Sequence, residues 1–126
     1  MTILHLTQHP ATPAQREAGV VDLEGEERAE LIRLLTFEEL PGCREIVSRA
    51  MALAALAHRH GATHAMLGGA LYLMGPLEVA LRFAQVVPLY AFSVRESTEE
   101  RLADGTVKKT QVFRHLGFVH GAVSSR

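Results

Sequence analysis

Cysteine is nearly absent from this chain, with Cys43 the only one. A single thiol excludes an intramolecular disulfide framework and any multi-cysteine metal centre, and it fits a reducing compartment, so a cytoplasmic protein is expected. Charge of one sign is lacking as well. Lys and Arg total 13 against 14 for Asp and Glu, a formal net charge of -1. That balance argues against a broad membrane or nucleic-acid surface, so no long DNA or RNA partner is expected, and any anion site must be local. No apolar run reaches the ~20 residues of a membrane span, and the N-terminus has neither a basic nor a long apolar leader region. Also missing are a Gly-x-Ser-x-Gly elbow, a Walker loop and a paired-carboxylate motif. Repeats and low-complexity segments are absent, and 126 residues suit one domain with its own core.

What is present begins at the N-terminus. Ile3, Leu4, His5 and Leu6 read as a strand that runs into Thr7-Gln8-His9 and then Pro10-Ala11-Thr12-Pro13. Thr12 suits an N-cap with Pro13 at the first helical position and Gln15 completing a capping box, which starts a short helix to about Ala18, stopped by Gly19. In open α/β sheets ligands sit beyond the carboxyl ends of strands, where helix N–H groups collect, so a hydroxyl, an amide and an imidazole meet where such a fold offers a site. The same residues equally make a plain surface βα loop.

A charged helix is expected from about Glu26 to Leu35. Pro41 then marks a first helical position, and Ile46, Val47, Ala50, Leu53, Ala54 and Ala57 recur at helical spacing until Gly61. His58, Arg59 and His60 fall in that helix's last turn, where positive charge meets the negative dipole end. His58, His60 and His64 look metal-like, but no acidic residue nearby completes a set, and no metal is expected. Cys43, near the start of the same helix, lacks a nucleophilic-cysteine motif.

Ala65-Met66-Leu67 reads as a buried strand ending in Gly68-Gly69, and Pro76 as the opening of a helix bearing Leu77, Ala80, Leu81 and Ala84. Glycines after a strand admit a ligand to the backbone, or simply make a turn. Val86 to Phe92 suits a central strand with Pro88 near its start. Three strands with crossover helices predict an α/β fold, a small Rossmann-like, mostly parallel sheet flanked by helices.

A C-terminal hairpin over about 90–119 is signalled by Asp104-Gly105. A two-residue type I′ loop would set Glu100 opposite Lys109, Ser97 opposite Val112 and Arg95 opposite Arg114. Ser93, Arg95 and Ser97 would then share a basic, phosphate-suited face with Lys108, Thr110 and Arg114, and His115 would lie on the other face unless a bulge re-aims it. A solvated edge hairpin, protected by its charges, is the alternative. Phe92 and Tyr72 are placed to stack on a base.

Leu6 through Gln15, the Gly68-Gly69 strand end and Phe92-Ser93-Val94-Arg95 together resemble the small stand-alone CRISPR-associated ring nucleases, whose fold is similar to the CARF sensor domains. The resemblance implies a metal-independent, cofactor-free homodimer that binds cyclic oligoadenylate across a two-fold axis and cleaves it to linear products, switching off an antiviral signal. On this resemblance a ribose 2′-hydroxyl attacks the adjacent phosphate. Arg95 and Arg114 would stabilise charge, with Lys109 a further candidate, and His9 would act as acid or base. Thr7, Gln8, Gly68, Gly69, Ser93 and Ser97 would bind the ligand. A binding module that only sequesters a nucleotide, or a protein-interaction domain using the hairpin edge, are the rival classes.

Overall fold

Two periodicities organise the chain: apolar runs of four residues become strands, and the 3.6-residue pattern becomes helices that cover them. The computed structural model describes residues 1–121. The single domain expected over 1–126 therefore includes five residues, 122–126, outside the described ones. The order is β1 (Ile3–Leu6), α1 (Pro13–Glu17), β2 (Val20–Val21), α2 (Gly25–Leu35), α3 (Cys43–Arg59), β3 (His64–Leu67), α4 (Leu71–Phe83), β4 (Val87–Arg101) and β5 (Val107–His120).

The strands form one mixed five-stranded sheet in the order β2-β1-β3-β4-β5. The first four run parallel and β5 is antiparallel to β4. Alternation along the strands divides the core. Leu4, Leu6, Ala65 and Leu67 face α2, α3 and α4, against Leu31, Leu53, Leu73 and Leu77. Ile3, Val20, Met66 and Leu89 form the opposite face, with Ala11 and Phe118 packed on it. Among the described residues, no helix is long and apolar enough to cross a membrane.

The expected capping box is present: Thr12 Oγ1 accepts from the Gln15 N–H at 3.2 Å, and Gln15 Oε1 accepts from the Thr12 N–H at 3.0 Å. Other boundaries move. Helix α3 begins at Cys43 behind an extended Gly42, so Pro41 precedes the helix and does not open it. Helix α4 begins at Leu71, with Pro76 inside it. Proline clashes with the preceding residue's Cβ, and Gly75 has none, which lets the helix continue through this pair. The two-residue strand β2 carries no periodicity and was not legible in the sequence.

Strand β4 pairs with β3 only through Val87–Tyr90. From Leu89 to Arg101 it pairs with β5, and beyond Tyr90 the hairpin leaves the body of the sheet as a two-stranded arm. Its tip is a three-residue loop: Gly105 N–H reaches Leu102 O at 3.0 Å, Leu102 N–H reaches Thr106 O at 2.8 Å, and Gly105 takes φ +86°. A turn followed by a left-handed glycine is the geometry of such loops. The extra residue shifts every expected pair by one. Glu100 faces Lys108, Ser97 faces Gln111 and Arg95 faces Phe113, so the predicted Arg95–Arg114 opposition does not occur. Arg114 faces Val94 instead and pairs with Glu96 at 3.0 Å.

A bulge interrupts the ladder lower down. Phe92 pairs with Gly117 while Ser93 pairs with His115, leaving Leu116 as the extra residue. His115 keeps the face of Ser93 through the register that the three-residue loop sets, and the bulge lets Phe118, three residues on, share that face. Two-stranded ribbons are only marginally stable alone, so the arm contributes little to the fold. Replacing residues 97–111 by an Asn-Gly turn should change unfolding free energy by no more than about 1 kcal/mol in urea denaturation, as for a surface change. A loss above roughly 3 kcal/mol would make the arm part of the core.

Candidate functional site

In a doubly wound sheet, a crevice opens at the carboxyl ends where successive connections leave in opposite directions. Here the chain passes from β1 outward to β2 and then back across to β3, so that point lies between β1 and β3. A cavity of about 450 Å³ occupies it, lined by Thr7, Gln8, His9, Gly68 and Gly69. Ligand pockets fall in the range of roughly 300–1,000 Å³. A larger groove of about 930 Å³ runs between α3 and α4, but Val47, Met51, Val79 and Phe83 make it apolar, with His58 its one titratable lining residue.

His5, Thr7 and Asp22 carry the chemistry of the smaller cavity. His5 is 1% exposed, the one buried polar residue among those described. Its Nδ1 lies 2.6 Å from Asp22 Oδ1, and its Nε2 lies 2.6 Å from Thr7 Oγ1. A carboxylate only accepts, so Nδ1–H donates to Asp22, Nε2 is left with its lone pair, and the Thr7 hydroxyl donates to it. A hydroxyl, a base and an orienting carboxylate thus stand in the sequence that activates oxygen nucleophiles.

Strand geometry builds this array. His5 and Thr7 are two apart on β1 and share a face. Val20 and Val21 pair with Ile3 and Leu4, which brings Asp22 alongside His5. Asp22 is fixed by the Ala11 N–H, 3.2 Å from both carboxylate oxygens, and by Arg16 Nη2 at 3.2 Å. Burial holds the His5 imidazole below its ordinary pKa, outweighing the opposite pull of Asp22, so the ring is neutral near pH 7. Burial pushes the Asp22 carboxyl up, but hydrogen bonds from His5, Ala11 and Arg16 outweigh it and leave the value lowered.

The walls are held from outside. Gln8 Nε2 donates to Thr36 Oγ1 at 3.0 Å, and Arg28 Nη2 donates to the Gln8 carbonyl at 3.1 Å. Tyr90, also lining the cavity, donates to Glu78 Oε2 at 2.6 Å. Burial, with Glu78 beside it, raises the phenol pKa and keeps it protonated. A Cβ at Gly68 would stand 3.0 Å from Thr7 Cγ2 and press on that side chain, and Gly69 takes φ +141°, a conformation that favours glycine.

Of the residues singled out in the sequence, Thr7, Gln8, His9, Gly68 and Gly69 come together here. Arg95, Arg114, Lys109 and Ser97 do not reach it within this chain. They lie along the arm, where Arg95 stacks on Phe113 with its guanidinium carbon 5.3 Å from the ring centroid, and Lys109 lies 3.9 Å from Glu99. Ser93 lies one pair beyond Ala91, a cavity residue, on the same face. Tyr72 packs edge-on against Phe37 with ring centroids 5.1 Å apart. Phe92 is half exposed on the opposite face from Ser93. His60 bonds Glu27 at 2.8 Å and joins α3 to α2, and among the described residues no group of three His, Cys, Asp or Glu could hold a metal ion. Sequence reasoning missed His5, hidden in an apolar run, and Asp22, which follows the unread β2. The usable signal was a His-x-Thr pair on one strand face.

The fold and site define an α/β protein with a cavity at the switch point of a mostly parallel sheet. The chain belongs to the uncharacterized protein MJ1673 family, whose profile matches residues 1–119. No curated protein and no solved structure matches it.

Between its lowered folded pKa and the unfolded value of roughly 6.5, His5 binds more protons when unfolded, so stability rises with pH across that window. The contribution is complete above about pH 6.5 and is lost as pH falls through the folded value. Denaturation midpoints compared between the parent and His5→Gln should show this component only in the parent, whereas parallel curves from pH 8 to 5 would contradict it. Gly68→Ala should push Thr7 off its imidazole, moving the His5 Nε2 resonance in ¹⁵N spectra. An unmoved resonance would mean Thr7 gives way without breaking its bond.

Proposed function

We propose that the chain binds cyclic oligoadenylate in the β1/β3 cavity and opens the ring to linear products, in keeping with its resemblance to the ring nucleases. The observation that carries the reading is the Asp22–His5–Thr7 array opening onto a cavity floored by two glycines. On this reading the sheet is a Rossmann-like, CARF-like scaffold in a cytoplasmic protein. Its bound form is a homodimer, because a ring with two-fold symmetry is best matched by a two-fold site. One cavity suits one nucleotide, with the rest of the ring spanning to the second copy.

The chemistry is an intramolecular transesterification. A ribose 2′-oxygen attacks the adjacent phosphorus, the bond from phosphorus to the 5′-oxygen breaks, and a 2′,3′-cyclic phosphate and a 5′-hydroxyl remain. Neutral His5 takes the 2′-proton, directly or through the Thr7 hydroxyl, and Asp22 stabilises the imidazolium. His9, exposed at the cavity mouth, returns a proton to the departing 5′-oxygen. The Gly68-Gly69 backbone lets the phosphate approach closely, and Arg28 sets a positive charge behind the Gln8 carbonyl. Positioning for in-line attack supplies much of the acceleration.

A second reading keeps the cavity and drops the turnover, giving a nucleotide sponge. A third uses the arm's outer strand, where Val112, Phe113, Leu116 and Val119 are exposed, to add a partner strand. Incubation with cyclic tri-, tetra- and hexa-adenylate in EDTA, followed by liquid chromatography, separates all three. The expected outcome is linear product beyond enzyme stoichiometry, falling by about 100-fold or more in His5→Gln and by about tenfold in His9→Ala. Intact ring retained by the protein would replace the enzyme with the sponge, and unretained ring would leave the strand-addition reading.

A further inference from the structure

On the arm, one residue pair beyond the cavity-lining Ala91 on the same face, stands His115. Both ring nitrogens of His115 are buried, and neither has a hydrogen-bond partner among the described residues. Buried polar groups are nearly always paired, so an unpaired one asks for an acceptor or donor that arrives from outside the chain. The ring is held in place by an edge-on contact with Phe118, with centroids 4.9 Å apart.

Its position follows from the ladder. Ala91, which lines the cavity, pairs with Phe118, and the next pair on the same face is Ser93 with His115. Successive residues on one face are roughly 7 Å apart along a strand. Leu89 on that face packs with Met66 and Ile3, so His115 and Ser93 continue the surface on which His5 and Thr7 lie. The three-residue tip loop sets the Ser93–His115 pair, and the bulge at Leu116 brings Phe118, three residues on, to the same face. Bulges are used next to functional sites to re-aim side chains, and here the result is that His115 and Phe118 both lie on the cavity's side of the sheet.

We infer that His115 is a ligand-binding residue of the cavity, donating a hydrogen bond to a phosphate oxygen of the bound nucleotide, with Ser93 beside it. The inference rests on the nucleotide reading and extends the site from the β1 and β3 strand ends onto β5. It assigns a phosphate contact to a residue outside the motifs at those strand ends.

The test uses the full chain and cyclic tetra-adenylate carrying 2′-O-methyl groups, which cannot undergo the transesterification. Histidine ¹⁵N spectra are recorded with and without this probe, and its affinity is measured for the parent and for His115→Phe and His115→Gln. Phenylalanine keeps a ring against Phe118 and removes both nitrogens, so an unchanged circular dichroism spectrum would show the fold retained. The expected result is a shift of the His115 ring resonances on binding, with affinity weakened about tenfold or more in His115→Phe and less in His115→Gln. Shifts at His5 with His115 unmoved, and equal affinity in His115→Phe, would overturn the inference and leave the nucleotide reading standing. No shift at any histidine and no binding by the parent would remove both.

Discussion

A histidine in the middle of a buried strand must find partners for both of its ring nitrogens, and that requirement organises this end of the molecule. His5 sits among Ile3, Leu4 and Leu6 with almost no exposure, where an unpaired polar atom costs about 1–3 kcal/mol. One nitrogen is satisfied by Asp22 at the end of β2, the other by Thr7 at the end of β1. Asp22 in turn draws in the Ala11 N–H and Arg16, which ties the start of α1 to the sheet. The need to satisfy one side chain thereby fixes β1, β2 and the loop between β1 and α1 against one another.

The same array sets the protonation and the tautomer of the buried histidine at the cavity. Burial keeps His5 neutral, and the Asp22 carboxylate selects the tautomer whose lone pair meets the Thr7 hydroxyl. An exposed histidine would share its hydrogen bonds with water and titrate near its ordinary value. The glycines at the end of β3 complete the arrangement by leaving room for the Thr7 methyl, since a Cβ at Gly68 would press on it at 3.0 Å. Sheet topology supplies the rest, because the strand order reverses between β1 and β3 and a crevice opens at their carboxyl ends.

Much of this was readable in the residues. The Thr12–Gln15 capping box and the apolar spacing of α3 depend on local rules: the box formed, and Ala50, Leu53, Ala54 and Ala57 are buried while Val47 stays exposed. The convergence of Thr7, Gln8, His9, Gly68 and Gly69 followed from strand ends meeting at one sheet edge. The failures have long-range causes. Strand β2 is two residues long, too short for any period, so the carboxylate after it could not be placed beside His5. The arm's register hung on whether the Asp104-Gly105 loop holds two or three residues, and one residue of difference separated Arg95 from Arg114. His115 lies on the face of Ser93 for the same reason, and the bulge beyond it, which leaves no fixed mark in the sequence, brings Phe118 to that face.

The central claim is that the Thr7 hydroxyl and the His5 imidazole face a ribose phosphate of a cyclic nucleotide. A crystal structure of the chain with a 2′-O-methylated cyclic oligoadenylate tests it most directly. The account predicts the ring across a two-fold axis, with one ribose-phosphate within about 3.5 Å of Thr7 Oγ1 at each end. A ring bound elsewhere, on the arm or in the α3/α4 groove, with the β1/β3 cavity filled only by water, would contradict it.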